Sequence, residues 1–277
     1  MTGSVSHPNA PKAELFTSLH VPGRPLLLPN AWDAASARII EQAGAAAIAT
    51  SSAAVAWCLG RSDGNVLSRD EAVGAVARIA AVVEVPVTAD VETGYGDGDD
   101  DLAATIDALL GAGAVGINLE DSGGDPLWPV DVAAHRVQVA RAAADRAGVP
   151  LYINARTDVY LAEVGEPAGR FDETLRRAEA FLAAGASGIF VPGVADLELI
   201  GRLTAAIGGP VNILVGPMSP PVAELAAAGV ARISTGSSLG AAVFAAARRA
   251  VTELLGEGSY RGLAGGIPYA DMNALFS

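Results

Sequence analysis

The chain has 277 residues, 51% of them hydrophobic, 18% charged and 5% aromatic. That is enough apolar chain to bury a core without disulfide or metal staples, and too much for disorder. Eighteen basic against 31 acidic residues leave a formal net charge of −13, which repels phosphate backbones and anionic lipid and argues against nucleic acid or membrane partners.

Residues 1–20 read as a polar N-terminal segment without the apolar stretch of a signal peptide, as expected of a cytoplasmic protein. A short apolar run followed by a helical run then recurs eight times. Pro25–Pro29 precedes Ala34–Ala43, Ala45–Thr50 and Val85–Asp90 flank Arg69–Val83, and Asp99–Ala112 leads to Val115–Glu120. Val132–Ala147, Leu151–Ala155, Phe171–Ala184, Gly188–Val191, Asp196–Ile207, Val211–Val215, Pro220–Ala228, Arg232–Thr235 and Leu239–Leu255 continue the alternation. Short continuous apolar runs suit strands buried on both faces of a parallel sheet. Glycines just past several helical runs, at Gly44, Gly113, Gly148, Gly185 and Gly229, supply left-handed caps before the next strand. The uncharged stretch Gln42–Gly60 is mostly Ala, with Thr50, Ser51 and Ser52 in its middle, and reads as helix end, strand and loop rather than a membrane span. The pattern predicts one α/β domain over 1–277, a (β/α)8 TIM barrel, with residues 256–277 as a C-terminal extension of loop and short helix. A doubly wound sheet is the alternative, but no GxGxxG follows the first strand.

In such a barrel the chemistry sits at the C-terminal ends of the strands. Asp90 and Glu92 lie two apart after the third strand, Asn118 and Glu120 two apart after the fourth, and Asn154 and Arg156 two apart after the fifth. On an extended chain each such pair shares a face. Ser51 and Ser52 follow the second strand, and its loop reaches Asp63. Asp63, Asp90, Glu92 and Glu120 can therefore converge at one mouth, where unpaired carboxylates resist ionisation unless a cation joins them. An all-oxygen set favours Mg²⁺ or Mn²⁺. Arg156 offers a fixed fork for a carboxylate or phosphonate. A lone acid at a strand end is often only a helix N-cap, the reading given to Asp33, Asp99 and Asp172.

Other chemistries lack their residues. Lys12 is the one lysine and is badly placed for a Schiff base. Cys58 stands alone, which excludes a disulfide framework, and reads as a small buried thiol. His7, His20 and His135 are too scattered for zinc, and His135 reads as a surface or packing residue. Tyr95, between Gly94 and Gly96 in a tight turn, is a candidate proton donor.

The run DVETGYGDG at 90–98 resembles the signature of the isocitrate lyase/phosphoenolpyruvate mutase superfamily. The likeness extends through LLLPNAWDAASARIIEQAGAAAIATSS, GINLED, INARTD and GVARISTGSSL in the same order. It implies a barrel holding one Mg²⁺, ligated directly by Asp90 and through water by Asp63, Glu92 and Glu120. Ser51 and the backbone of Ser52 and Ala53 resemble the segment that binds the substrate's carboxylate end, and Arg156 the arginine on the same acid. The resemblance also implies a dimer or tetramer in which the last helix, here Leu239–Leu255, swaps between subunits.

Two specialised loops of that superfamily are missing. The lyase K-[KR]-C-G-H loop is replaced by GGDPLWPVDVAAHR, and the mutase loop with its Lys and Asn by EDSGGD. The mutase histidine after the sixth strand is replaced within the FVPG run that begins at Phe190. What remains suits enolate stabilisation alone: cleavage of a C–C bond in a small 2-oxo or 2-hydroxy acid, as in decarboxylation of oxaloacetate or cleavage of a methylisocitrate-like acid. Arg156, Asp63 and Tyr95 are then the catalytic candidates, with Ser51, Ser52, Ala53, Asn118 and Asn154 beside Arg156 as substrate-binding ones. P–C bond chemistry on a phosphonate, and a non-catalytic carboxylate-binding barrel, are the alternatives.

Overall fold

Each apolar run of the sequence forms a short strand, and the helices between them cover the outside of the sheet. The computed structural model describes residues 7–277. In chain order the elements are α1 (Ala10–Ser18), β1 (Leu26–Leu28), β2 (Asn30–Ala31), α2 (Ala34–Gln42), β3 (Ile48–Thr50), α3 (Ser52–Cys58), α4 (Arg69–Ala80) and β4 (Val87–Asp90). Then follow α5 (Asp99–Gly111), β5 (Ala114–Glu120), α6 (Val130–Arg146), β6 (Tyr152–Arg156), α7 (Arg170–Ala183), β7 (Gly188–Val191), α8 (Leu197–Ala206) and β8 (Val211–Leu214). The chain ends with α9 (Val222–Ala227), β9 (Arg232–Ser234), α10 (Ser238–Glu257) and α11 (Tyr269–Ala274).

All strand pairings are parallel, in the order β1-β9-β8-β7-β6-β5-β4-β3-β2. β1 and β2 are successive pieces of one segment, divided at Pro29, which has no N–H to donate. One piece pairs with β9 and the other with β3, so the sheet closes as a barrel rather than an open doubly wound sheet. The main apolar core lies between barrel and helices, with Ile106, Ile117, Ile153, Phe181 and Ile189 essentially inaccessible.

The structure corrects several local readings. Residues 1–6 lie outside the described residues, and the rest of the N-terminal segment is not merely polar: α1 crosses the N-terminal end of the barrel and buries Phe16 completely. A Cβ at Gly116 would come 2.7 Å from the Phe16 ring, so this close approach requires glycine. Cys58 is exposed rather than buried, because α3 is a short helix whose C-terminal turn, with Trp57, faces solvent. Asp33 does cap α2, in a capping box with Ser36. Asp99 and Asp172 instead lie within the first turns of α5 and α7, where their charge suits the helix dipole. His135 is at the surface, 2.8 Å from Asp99. Among the described residues no helix is long and apolar enough to cross a membrane.

His20 follows α1 into the barrel floor and stacks on Tyr152, with 3.8 Å between ring centroids. Its Nδ1 lies 2.8 Å from the Phe16 carbonyl, which can only accept, so Nδ1 carries the proton. Burial, and then the Arg232 charge, push the His20 pKa down from 6.5 to about 3. Below about pH 6.5 the unfolded chain therefore takes up a proton that the fold refuses, and stability falls with pH down to about 3. We expect His20 to cost up to about 2 kcal/mol at pH 5 relative to pH 7. Urea unfolding at both pH values should show that loss in the wild type and a smaller one in His20→Gln.

Candidate active site

The C-terminal ends of the strands form a mouth whose cavity, of about 160 Å³, is lined by Ser51, Ser52, Ala53, Asp63, Asp90, Asn118 and Arg156. Phe190, Pro192 and Leu214 form the wall across the barrel. Asp90 ends β4, and its backbone N–H donates to Thr50 Oγ1 at 2.9 Å. Its Oδ2 accepts from the Ser52 hydroxyl at 2.9 Å and the Ser52 N–H at 3.2 Å. The other oxygen, Oδ1, is buried without a hydrogen-bond partner.

Arg156, at the end of β6, is held by carboxylates on two sides. Its Nη1 lies 2.7 Å from Glu120 Oε2, and its Nε and Nη2 donate to both oxygens of Asp158 at 2.6 and 2.8 Å. Burial opposes the charged guanidinium, but Glu120 and Asp158 outweigh it and hold the Arg156 pKa above its ordinary value. For Glu120 burial dominates: it lifts the pKa to about 7 against the pull of Arg156, with Asp90 and Asp158 adding repulsion.

Glu92 does not share an extended face with Asp90 as the spacing suggests. The strand stops at Asp90, and Glu92 takes a left-handed conformation with φ of 50°. Its carboxylate turns to the loop that carries Asp63 and accepts the backbone N–H groups of Gly64, at 3.1 Å, and Asn65. Burial, then repulsion by Asp63 and Asp90, raise its pKa despite those bonds. Asp63 is exposed at the rim. Asp63 and Asp90 thus line the cavity, while Glu120 and Glu92 stand next to lining residues, bound to Arg156 and to the loop of Asp63. Among the described residues no three His, Cys, Asp or Glu side chains are grouped as a ready-made metal site.

Tyr95 lines a separate small cavity that shares only Asp90 and Ser52 with the main one. Burial and the surrounding carboxylates, Glu92 foremost, raise its pKa, so the phenol keeps its proton. Asn154 lies inside the barrel beneath the cavity, donating to Asn118 and Asn212. Ser51 caps α3, with Oγ accepting from the Ala54 N–H.

A supporting layer escaped the sequence reading. Asp158 fixes the fork of Arg156. Asp121 accepts from the Asp158 N–H and from Arg177, and Arg177 also holds the Trp128 carbonyl. Arg136, reaching from α6, donates to the carbonyls of Thr93, Gly96 and Asp97, with its guanidinium 4.5 Å from the Trp128 ring. The alternation in INARTD was the available signal for Asp158; nothing local marked Arg136 or Arg177.

The family model for phosphoenolpyruvate phosphomutase matches residues 16–255, and the chain belongs to that family. A crystal structure from Burkholderia cenocepacia, provisionally described as a phosphonomutase, is 44% identical with a TM-score of 0.83, covering 91% of this chain and 100% of that one. An uncharacterized protein of Mycobacterium tuberculosis is 36% identical over 263 residues, 94% of this chain and 95% of its own length. Oxaloacetate decarboxylase of Bradyrhizobium sp. is 28% identical over 231 residues, 82% of this chain and 77% of that protein. The wider superfamily, which also includes 2-methylisocitrate lyase, comprises C–C lyases and mutases.

Arg136 clamps the turn that carries two left-handed side chains, Glu92 and Tyr95. Arg136→Met would leave the buried Thr93 carbonyl and the half-buried Gly96 carbonyl without donors, at a cost of about 2–4 kcal/mol. Urea unfolding should register that loss, and amide exchange should quicken over 93–97 while β6 is unaffected.

Proposed function

We propose that the chain is a divalent-metal-dependent lyase or decarboxylase, cleaving a C–C bond of a small 2-oxo or 2-hydroxy acid through a pyruvate-type enolate. The observation that carries this reading is Asp90 Oδ1, a buried carboxylate oxygen with no hydrogen-bond partner beside a cavity of small-acid size. An oxygen in that state is costly unless a cation meets it, and a hard ion such as Mg²⁺ or Mn²⁺ fits the all-oxygen surroundings. Asp90 would hold the ion, with Asp63, Glu92 and Glu120 around it. A bound divalent cation supplies Lewis-acid stabilisation of negative charge that grows on a substrate oxygen.

The chain's own residues supply the rest. Arg156 spends three of its five N–H groups on Glu120 and Asp158, and the remaining two can bind a substrate carboxylate. Ser51 accepts from Ala54 and keeps its hydroxyl proton to donate to the same carboxylate. Phe190, Pro192 and Leu214 restrict the space opposite and keep water from the far end of the acid. With oxaloacetate, breaking the bond to the distal carboxylate would release that group as carbon dioxide and leave its electron pair as the pyruvate enolate, which a proton from solvent completes to pyruvate. With a 2-hydroxy acid, loss of the hydroxyl proton would turn C2 into the carbonyl of pyruvate, and the electron pair would pass to the departing acid, which takes the proton.

P–C bond chemistry is the second reading, favoured by the 44% likeness to a chain provisionally described as a phosphonomutase. Pyruvate release from a panel of 2-oxo and 2-hydroxy acids, run beside ³¹P NMR on phosphonates, separates the two. We expect metal-dependent pyruvate release, inhibition by oxalate, loss of activity in EDTA, and at least about a 100-fold drop in Asp90→Ala. Full activity in EDTA would overturn the reading.

We also propose that the chain assembles with copies of itself by exchanging α10. That helix exposes Val243, Val251, Leu254 and Leu255. A groove of about 800 Å³ lined by Leu26, Leu27, Ile39, Ile40 and Leu239 runs along the barrel flank beside β1. An apolar helix without a cover and an apolar groove without a filler are complementary, and a second copy supplies both halves. Light scattering should give a dimer or larger assembly, with Val251→Asp/Leu255→Asp shifted toward monomer.

A further inference from the structure

The barrel interior beneath the cavity holds Arg232, only 1% exposed. Its Nη2 donates to Asn118 Oδ1 at 2.9 Å, while Nε and Nη1 have no hydrogen-bond partner. Burial, eased by Tyr152 and Asp90, lowers its pKa to about 10, so it stays charged at neutral pH. A buried cation so poorly paired is unfavourable for folding, and an apolar side chain of similar volume would be tolerated at least as well. Its placement therefore calls for a role other than stability.

Asn118 supplies that role. A guanidinium can only donate, so Asn118 must present its oxygen to Arg232. The Asn154 Nδ2 group donates to the same oxygen at 2.9 Å, and it also donates to Asn212 Oδ1 at 3.0 Å. Asn212 is fixed in turn, because its own Nδ2 points to the carbonyls of Ile213 and Arg232. With its oxygen committed to the interior, Asn118 has its Nδ2 group left for the cavity, which it lines beside Asp90 and Arg156.

We propose that Arg232 is a positioning residue that fixes the polarity of Asn118, so that Asn118 Nδ2 donates to an anionic oxygen of the bound acid. This rests on the functional reading above. The cavity lies between the acidic Asp90 and Asp63, so an anion there needs donors, and Asn118 Nδ2 adds one beside Ser51 and Arg156. A carboxamide turned the other way would present an acceptor there and repel the ligand.

Oxalate, an enolate mimic, is the probe, titrated calorimetrically with excess Mg²⁺ into wild type, Arg232→Met, Arg232→Lys, Asn118→Ala and the doubles of Asn118→Ala with each Arg232 variant, alongside thermal melts. We expect Arg232→Met to melt no lower than wild type yet bind oxalate roughly 10-fold or more weakly, the scale of a hydrogen bond to a charged group. Arg232→Lys should recover part of the affinity. Each double variant should bind no worse than Asn118→Ala alone, because Arg232 acts through that amide. Wild-type affinity in Arg232→Met, or losses that add in a double variant, would overturn the inference while leaving the functional reading intact. If the Met variant does not fold, the Lys double variant decides, and a loss in it that adds to that of Asn118→Ala overturns the inference. A wild type that binds no oxalate with Mg²⁺ overturns the functional reading, and this inference with it.

Discussion

The clamp of Arg156 between Glu120 and Asp158 is the interaction on which the mouth of the barrel depends. It joins β5, β6 and the loop after β6 through one guanidinium, with every contact at or below 2.8 Å. A buried ion pair stabilises little in net terms, but one with a missing partner is strongly destabilising. Here the balance is uneven: one cation meets two acids, and Asp90 adds a third negative group nearby. Burial lifts the Glu120 pKa to about 7 although Arg156 touches it, and repulsion by Asp90 and Asp158 adds to the rise. A site with surplus negative charge and an unpartnered carboxylate oxygen favours a further cation on electrostatic grounds alone.

That clamp is held in place from behind. Asp121 receives the Asp158 N–H and the Arg177 guanidinium, and Arg177 reaches on to the Trp128 carbonyl. Trp128 lies against Arg136, which grips three carbonyls of the turn after β4. The loop of 122–129 and the turn of 93–97 therefore share one run of buried contacts. The links are charged hydrogen bonds from Asp158 to Asp121 and from Arg177 to the Trp128 carbonyl, then a guanidinium–ring contact from Trp128 to Arg136.

Much of this was legible from the chain. Eight apolar runs with glycine caps gave the barrel, because both-face burial leaves an unbroken apolar signal and φ > 0 selects glycine. Asp63, Asp90, Asn118 and Arg156 do line one cavity, since strand-end residues of a parallel barrel must meet at one face. Glu92 was misplaced because strand periodicity carries no information once the backbone turns left-handed. Asn154 was set too high, because alternation fixes which way a residue faces but not its depth along the barrel. The plug formed by α1 was invisible for another reason: Phe16 and His20 owe their burial to Gly116 and Tyr152, far away in the chain.

The two ends of the barrel are thus built on different physics. At the N-terminal end aromatic rings close the interior, and a histidine that resists protonation down to about pH 3 weakens that closure as the pH falls below about 6.5. At the other end Asp63, Asp90 and Arg156 meet at a small cavity. Between them lies a layer of Asn118, Asn154, Asn212 and Arg232, hydrogen-bonded across the barrel where an apolar filling would pack at least as stably. Amides differ from apolar side chains in having direction. In that layer the one buried cation, Arg232, decides which way the amide at the cavity faces.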